Sequence, residues 1–422
     1  MQLTKLNRQI STLVAGRLLS GIGSGLTLFY ASIFFASDRF GITKTAVGFA
    51  VGSAAISGVL GRFLSGLMTD SPIWGRRRTL LISALVSTAG SFLLATAWDF
   101  STLVAGNLLA GLGVGLYWPA IEVAISDFTE TTNRQEAYAV NRLADSIGLG
   151  LGIILGGAVI AMTGAYRALF IADGISFSIF FAIIYRGISD DRIPAKTEIK
   201  TEIIEGRTES KKNGWRVVLS DRPFLIYIAA NIAFTTYISQ VHTTMPLYFS
   251  EFVSGGLPPE IISAIFTWHL VLCIVFQLPV AQSLRRFSHP RALIFSALFW
   301  GAGFLPIALA GLLPIGQLAW ILLGSGILAI ATVSYTPSAS SLVAELAPPS
   351  LRGLYHSLNG QCWAAGFFIG PILGGWVLDR PRPLADALWP GLALSVGATI
   401  LLVLLFERIL SKSRAKAEHR SN

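Results

Sequence analysis

Five ionisable side chains interrupt long apolar stretches in the first half of the chain: Arg17, Arg62, Glu122, Arg142 and Asp145. A charge at the centre of a membrane helix costs about 2.5–3.5 kcal/mol on insertion scales, so each needs a partner or a purpose. Two chemistries suit them. In one, an arginine holds Glu122 in a permanent ion pair, with Arg142 on the next apolar stretch as its neighbour. In the other, Trp118, one turn before Glu122 on the same helical face, walls the carboxylate off from water, and a desolvated carboxyl can trade a proton. Asp145 shares a face with Asn141 and Gly148, at spacings of four and three, which directs it to a helix interface. Arg62, Gly66 and Asp70 form a stripe at i, i+4 and i+8, so Arg62 either steadies the loop that follows or meets a ligand. Arg17, Arg62 and Arg142 are also the groups that would receive an anionic ligand.

The second half is nearly free of such charge and offers His242, His269, Asn231, Gln240, Gln277, Gln361, Trp268 and Trp363. Histidine titrates near neutrality, yet each histidine here is expected as a hydrogen-bonded helix contact. The sequence has no Gly-rich phosphate loop, metal-ligand cluster or Ser-His-Asp arrangement, so no catalytic residue, metal or cofactor is expected. Nor is there a nucleotide-binding domain through which ATP could drive the chain. Cys273 and Cys362 fall in apolar stretches and read as small buried thiols.

Composition says which elements must carry these residues. Charged residues are 13% of the 422 and hydrophobic residues 53%, against roughly 25% charged in soluble proteins; the solvent is lipid. The net charge of +9 could suggest a nucleic-acid partner, but the basic residues sit in short segments between apolar runs, as orientation signals do. Runs able to cross a bilayer lie at 10–35, 45–68, 79–98, 102–126, 137–162 and 165–185, then 224–249, 259–284, 292–312, 316–343, 355–378 and 385–406; about 20 residues suffice for each crossing. The expected organisation is a six-helix bundle over 1–185, a cytoplasmic linker over 186–222, a second bundle over 223–408 and a cytoplasmic tail over 409–422. Lys5, Arg8, Arg76, Arg77, Arg78, Arg134, Arg285, Arg286, Arg291, Arg352 and the basic tail fall on one side. That asymmetry places both termini of a multi-pass protein in the cytoplasm, in a cell inner (plasma) membrane.

The halves repeat one another. A constant shift of 218 places 117–157 on 335–375 without a gap, setting Tyr117 on Tyr335, Pro119 on Pro337, Asp127 on Glu345, Arg134 on Arg352 and Asn141 on Asn359. Gly148, Gly152, Gly156 and Gly157 fall on Gly366, Gly370, Gly374 and Gly375. A mixed set in one register marks parallel repeats of six helices.

Two elements carry a family resemblance. Gly66-x-x-x-Asp70, followed after two extra residues by Gly75-Arg76-Arg77-Arg78, resembles the cytoplasmic signature of the major facilitator superfamily. Gly366-x-x-x-Gly370-Pro371-x-x-Gly374-Gly375 resembles an element that the family's proton-coupled exporters carry in the fifth helix. Here the fifth-helix copy has Ile153 in place of proline, and the fourth helix reads Asn107-Leu-Leu-Ala110-Gly111 where exporters show Arg followed by Gln-Gly. The chain is identified as a member of the superfamily, most similar to its 12-helix drug/proton antiporter-type branch.

The resemblance implies an all-α polytopic fold of two six-helix bundles related by pseudo-two-fold symmetry, with a substrate site near mid-membrane. It implies a latch in which Asp70 is held by arginine and by the positive end of a helix in the other half. The second-half equivalent, Ala281-Gln-Ser-Leu-Arg285-Arg286, has lost both Gly and Asp. Gly148, Gly152, Gly156, Gly366, Gly370 and Gly374 are expected to let helices approach, with Pro371 permitting a bend. Tyr117, Trp118, Asn141, Tyr335, Asn359, Gln361 and Trp363 are the expected cavity lining. The function expected is proton-coupled efflux of a small hydrophobic or amphipathic molecule by a monomer in the bilayer. Uptake or exchange of a small polar or anionic metabolite stays open, as does a non-transporting scaffold or sensor.

Overall fold

The structure, a computed structural model, describes residues 8–71, 73–129, 134–188, 216–348 and 351–421. Among them twelve helices are long and apolar enough to cross a membrane: α1 (Arg8–Phe35), α2 (Lys44–Thr69), α3 (Gly75–Thr96), α4 (Phe100–Phe128), α5 (Val140–Thr163), α6 (Tyr166–Gly187), α7 (Arg222–Glu251), α8 (Pro259–Leu284), α9 (His289–Leu312), α10 (Gln317–Leu346), α11 (Leu354–Leu378) and α12 (Arg382–Ser411). They fall where the apolar runs predict, because a segment without water must satisfy its backbone internally and the helix does so. No strand occurs among the described residues. The expected linker lies mostly outside them.

Local chemistry sets the helix ends. The Thr43 side chain accepts from the Ala46 N–H to start α2, and Asp99 with Thr102 forms a reciprocal capping box for α4. Hydrogen bonds from Thr102 hold the Asp99 carboxyl below the usual carboxylate range. Gly41 and Gly164 close turns at φ of 59° and 64°, a region glycine enters freely. The helix of α1 is interrupted at Phe29, between Leu28 and Tyr30.

The chain forms two compact units. One groups α1–α6 with residues 239–267 and 367–385; the other holds residues 216–238, 268–366 and 386–421.

In the first unit the expected glycine stripe of α5 packs on a matching stripe of α1. Gly148 sits against Gly21, and a Cβ added at Gly152 would meet the Ile22 carbonyl and, at 2.7 Å, the Cα of Gly25. Gly156 lies against the Tyr30 ring. In the second unit a Cβ on Gly366 would stand 2.5 Å from the Thr235 carbonyl carbon. Backbones this close gain dispersion contacts that larger residues would forbid.

Candidate functional site

The first unit centres on a charged junction of α1, α4 and α5. Arg17 forms an ion pair with Asp145, their side chains 13% and 26% exposed. The guanidinium lies 4.6 Å from the Tyr117 ring centroid and 4.9 Å from that of Trp118, so two aromatic faces share its charge. Asn141, buried, stands beside the Tyr117 hydroxyl. The structure thus brings together Arg17, Tyr117, Trp118, Asn141 and Asp145.

Trp118, expected to wall Glu122 off from water, lies against Arg17 instead, and Glu122 is exposed. It acts on Arg62 of α2, while Arg142 is exposed and makes no ion pair with it. Tyr138 instead donates to the Glu122 main-chain carbonyl at 2.8 Å.

At the helix ends just beyond Glu122, Arg76 pairs with Asp127 at 2.5 Å, Arg77 donates to the Tyr185 carbonyl at 2.7 Å and Arg78 to the Ile73 carbonyl at 2.6 Å. Gly75, at φ 64°, turns the chain into α3. Among the described residues, Arg76 and Arg77 therefore brace α3 against α4 and α6. The side chains of Asp70, Arg134 and Arg352 lie outside the described residues. Glu345, the repeat of Asp127, meets His289 at 3.6 Å in the second unit.

The second unit holds an uncharged counterpart of the junction. The Tyr335 hydroxyl donates to Asn231 Oδ1 at 2.5 Å, Asn231 Nδ2 donates to Asn359 Oδ1 at 2.7 Å, and the Tyr227 hydroxyl donates to the same oxygen at 2.9 Å. The Trp363 ring lies 6.3 Å from that of Tyr335. Gln361, two residues after Asn359, faces away from this knot.

The shift of 218 sets Tyr117 on Tyr335, Asn141 on Asn359 and Asp145 on Trp363. The packing adds a register that the sequence hides. Thr235 and Thr244 of α7 meet Gly366 and Gly374 as Gly21 and Tyr30 of α1 meet Gly148 and Gly156, which sets Arg17 on Asn231 at a shift of 214.

The first unit also contains contacts at the helix ends remote from residue 8. Asp379, just past α11, accepts from the backbone N–H groups of Lys44 and Thr45 at 2.9 and 2.8 Å and from the Thr45 hydroxyl at 2.5 Å. Lys44 Nζ reaches Glu251 at 3.0 Å. Gly48 backs onto the Pro371 carbonyl, and Ser263 and Tyr30 both donate to the Ile153 carbonyl at 3.1 and 3.3 Å. Gln240 donates to the Gly370 carbonyl at 3.0 Å. A small cavity here is lined by Ser32, Lys44, Gly48, Thr243, Thr244 and Pro371, and includes none of the residues expected to line the substrate cavity. His269 is the expected helix contact, its Nδ1 2.9 Å from the Ser325 carbonyl.

Sequence reasoning missed three things: the α1–α7 register, the Asp379 cap and Asp173. Asp173 had a plain signal, being an acid alone in the apolar run of α6.

Residues 13–256 and 253–421 each match the Major Facilitator Superfamily. The Na(+), Li(+), K(+)/H(+) antiporter of Planococcus maritimus is 22% identical over 404 residues, spanning 88% of this chain and 90% of that protein. Multidrug resistance protein MdtH of Yersinia enterocolitica is 25% identical over 403 residues, 93% of this chain and 92% of its own. Among solved structures, the nucleoside transporter NupG is similar at TM-score 0.75 and 13% identity, over 95% of this chain and 99% of that one, a likeness of fold. With the family matched along both halves, the chain belongs to the Major Facilitator Superfamily and is a membrane transporter of that type.

Proposed function

We propose that this transporter couples the export of a small hydrophobic or amphipathic molecule to proton entry, by alternating access, from a plasma membrane with both termini in the cytoplasm. The observation that carries this is the contrast between equivalent positions: Arg17 and Asp145 in one unit, Asn231 and Trp363 in the other. Protonating a carboxylate releases its arginine, which lets proton binding alter helix contacts. The neutral Tyr-Asn knot is buried with its hydrogen bonds already made, and the partly exposed Trp363 ring beside it suits an apolar ligand better than a sugar. Relatives named for multidrug resistance and for cation/proton antiport support the same reading. Glu122 beside Arg62 is the first proton carrier in this scheme, and Asp70 with Gly66 and Gly75 retains the role of cytoplasmic latch.

Alternating access requires bonds that break once per cycle. The Asp379 cap on α2 and the Lys44–Glu251 bridge are of that kind, being partly exposed and each worth about 0.5–2 kcal/mol or less. The test is flux in proteoliposomes under an imposed pH gradient, against a panel of lipophilic cations and neutral dyes. Gradient-driven flux is expected, with Glu122→Gln losing the driven component while keeping substrate exchange. A folded protein with no gradient-dependent flux across the panel would overturn the proposal in favour of a scaffold.

A further inference from the structure

One acid remains without a role in that scheme. Asp173 sits about two turns inside α6, only 7% exposed, where α6 meets α1 and α3. Its Oδ2 accepts from Ser91 Oγ of α3 at 2.7 Å, while its Oδ1 is buried with no hydrogen-bond partner among the described residues. Oδ1 points at α1, where a Cβ on Gly23 would stand 2.6 Å from it; glycine at 23 makes the room.

The polar groups nearby are hydroxyls engaged elsewhere. Ser91 Oγ also contacts the Ser87 carbonyl at 3.0 Å, and Ser176 Oγ donates to the Asp173 main-chain carbonyl at 2.7 Å. Every charged residue of the three packed helices is accounted for. On α1, Arg8 lies at the helix start and Arg17 is paired with Asp145. The arginines of α3 are confined to its first turn. On α6, Arg186 lies at the far end, and Arg167 donates to the Ala95 and Ala97 carbonyls with its guanidinium 3.9 Å from the Trp98 ring. None of them neutralises Asp173.

An ionised carboxyl with one hydroxyl donor and no cation is costly inside protein, and such groups neutralise instead. We propose that Asp173 is a second proton-binding site of the transport cycle: Oδ1 carries the proton while α1, α3 and α6 pack as they do here, and releases it when α1 shifts and water reaches the carboxyl. The inference rests on the proton-coupled reading above and adds one proton per cycle to it. Gly23, with no side chain, is the point at which a small movement of α1 exposes the acid.

The experiment compares the full chain with Asp173→Asn, which keeps the shape and the acceptor for Ser91, both in liposomes. Infrared difference spectra should show a protonated-carboxyl band in the native chain that disappears on raising pH or on cycling with substrate, and that is absent from the variant. The proton-to-substrate ratio should fall by one in Asp173→Asn while substrate exchange persists. A difference spectrum without the band, or a band that neither pH nor substrate changes, would overturn the proposal; so would an unaltered ratio. Should Asp173→Asn fail to fold, Ser91→Ala leaves the acid in place and must displace the band's pH midpoint, and an unmoved midpoint counts against the site. If the native chain shows no gradient-driven flux, the export reading fails, whereas the infrared titration still decides whether Asp173 exchanges a proton.

Discussion

Arg17 of α1 and Asp145 of α5 are bound to each other at the junction whose repeat in the second unit carries Asn231 of α7, hydrogen-bonded to Asn359 and Tyr335 and without charge. The pair bridges two helices whose glycines already bring the backbones together, so it is held in place by packing as well as by charge. Removing one partner of a buried pair costs about 3–5 kcal/mol; with the Asp145 side chain 26% exposed, the lower figure applies. Arg17→Gln and Asp145→Asn should each lower the thermal midpoint in detergent, and the double variant should lose less than their sum. Additive losses would mean that the two residues act independently.

The Asp379 cap on α2 should control access to the cavity lined by Thr243 and Thr244. Loss of a helix cap is worth about 0.5–2 kcal/mol, or roughly a two- to thirtyfold change in the open population. In a chain with Cys273 and Cys362 replaced by serine, Asp379→Ala should speed alkylation of Thr243→Cys by an impermeant maleimide by that factor. An unchanged rate would show that the cap does not hold this end shut.

The twelve helices were legible because bilayer thickness imposes a run length that composition cannot hide. The α4–α5 repeat was legible because Tyr, Asn and spaced Gly keep their identity across 218 residues. The α1–α7 register was not: Arg17 against Asn231, Gly21 against Thr235 and Tyr30 against Thr244 share no residue type, and only the approach to the α5 and α11 glycines aligns them. Pairing Glu122 with Arg142 from adjacency in sequence failed for the same reason, since lateral order of helices is set by packing and not by chain order. The role of Asp379 has no sequence signal, because its partners include the backbone N–H groups of Lys44 and Thr45.

Two glycines separate packing from flexibility. At Gly152 a methyl group would strike the Ile22 carbonyl and crowd Gly25, so Gly152→Ala should cost about 1–3 kcal/mol by forcing α1 and α5 apart. At Gly66, inside α2, nothing among the described residues lies within 4 Å of the added methyl, and Gly66→Ala should stabilise by about 0.5–1 kcal/mol through backbone entropy alone. Thermal unfolding of the two variants should therefore move in opposite directions; a shared direction would mean that the α1–α5 contact is looser than the structure has it.

The neutral knot makes the complementary claim about the second unit. Tyr335 and Asn231 are 1% and 0% exposed, so Tyr335→Phe removes the donor to Asn231 Oδ1 without letting water replace it. Leaving that buried acceptor unpaired should cost about 1–3 kcal/mol, read as a lower midpoint. If the second unit contacts substrate and the first carries protons, Tyr335→Phe should change KM for the transported molecule and leave the pH profile of flux where it was. Asp145→Asn should do the reverse. A displaced pH profile in Tyr335→Phe would show that coupling runs through both copies of the junction, and the division of labour between Arg17–Asp145 and Asn231–Tyr335 would have to be given up.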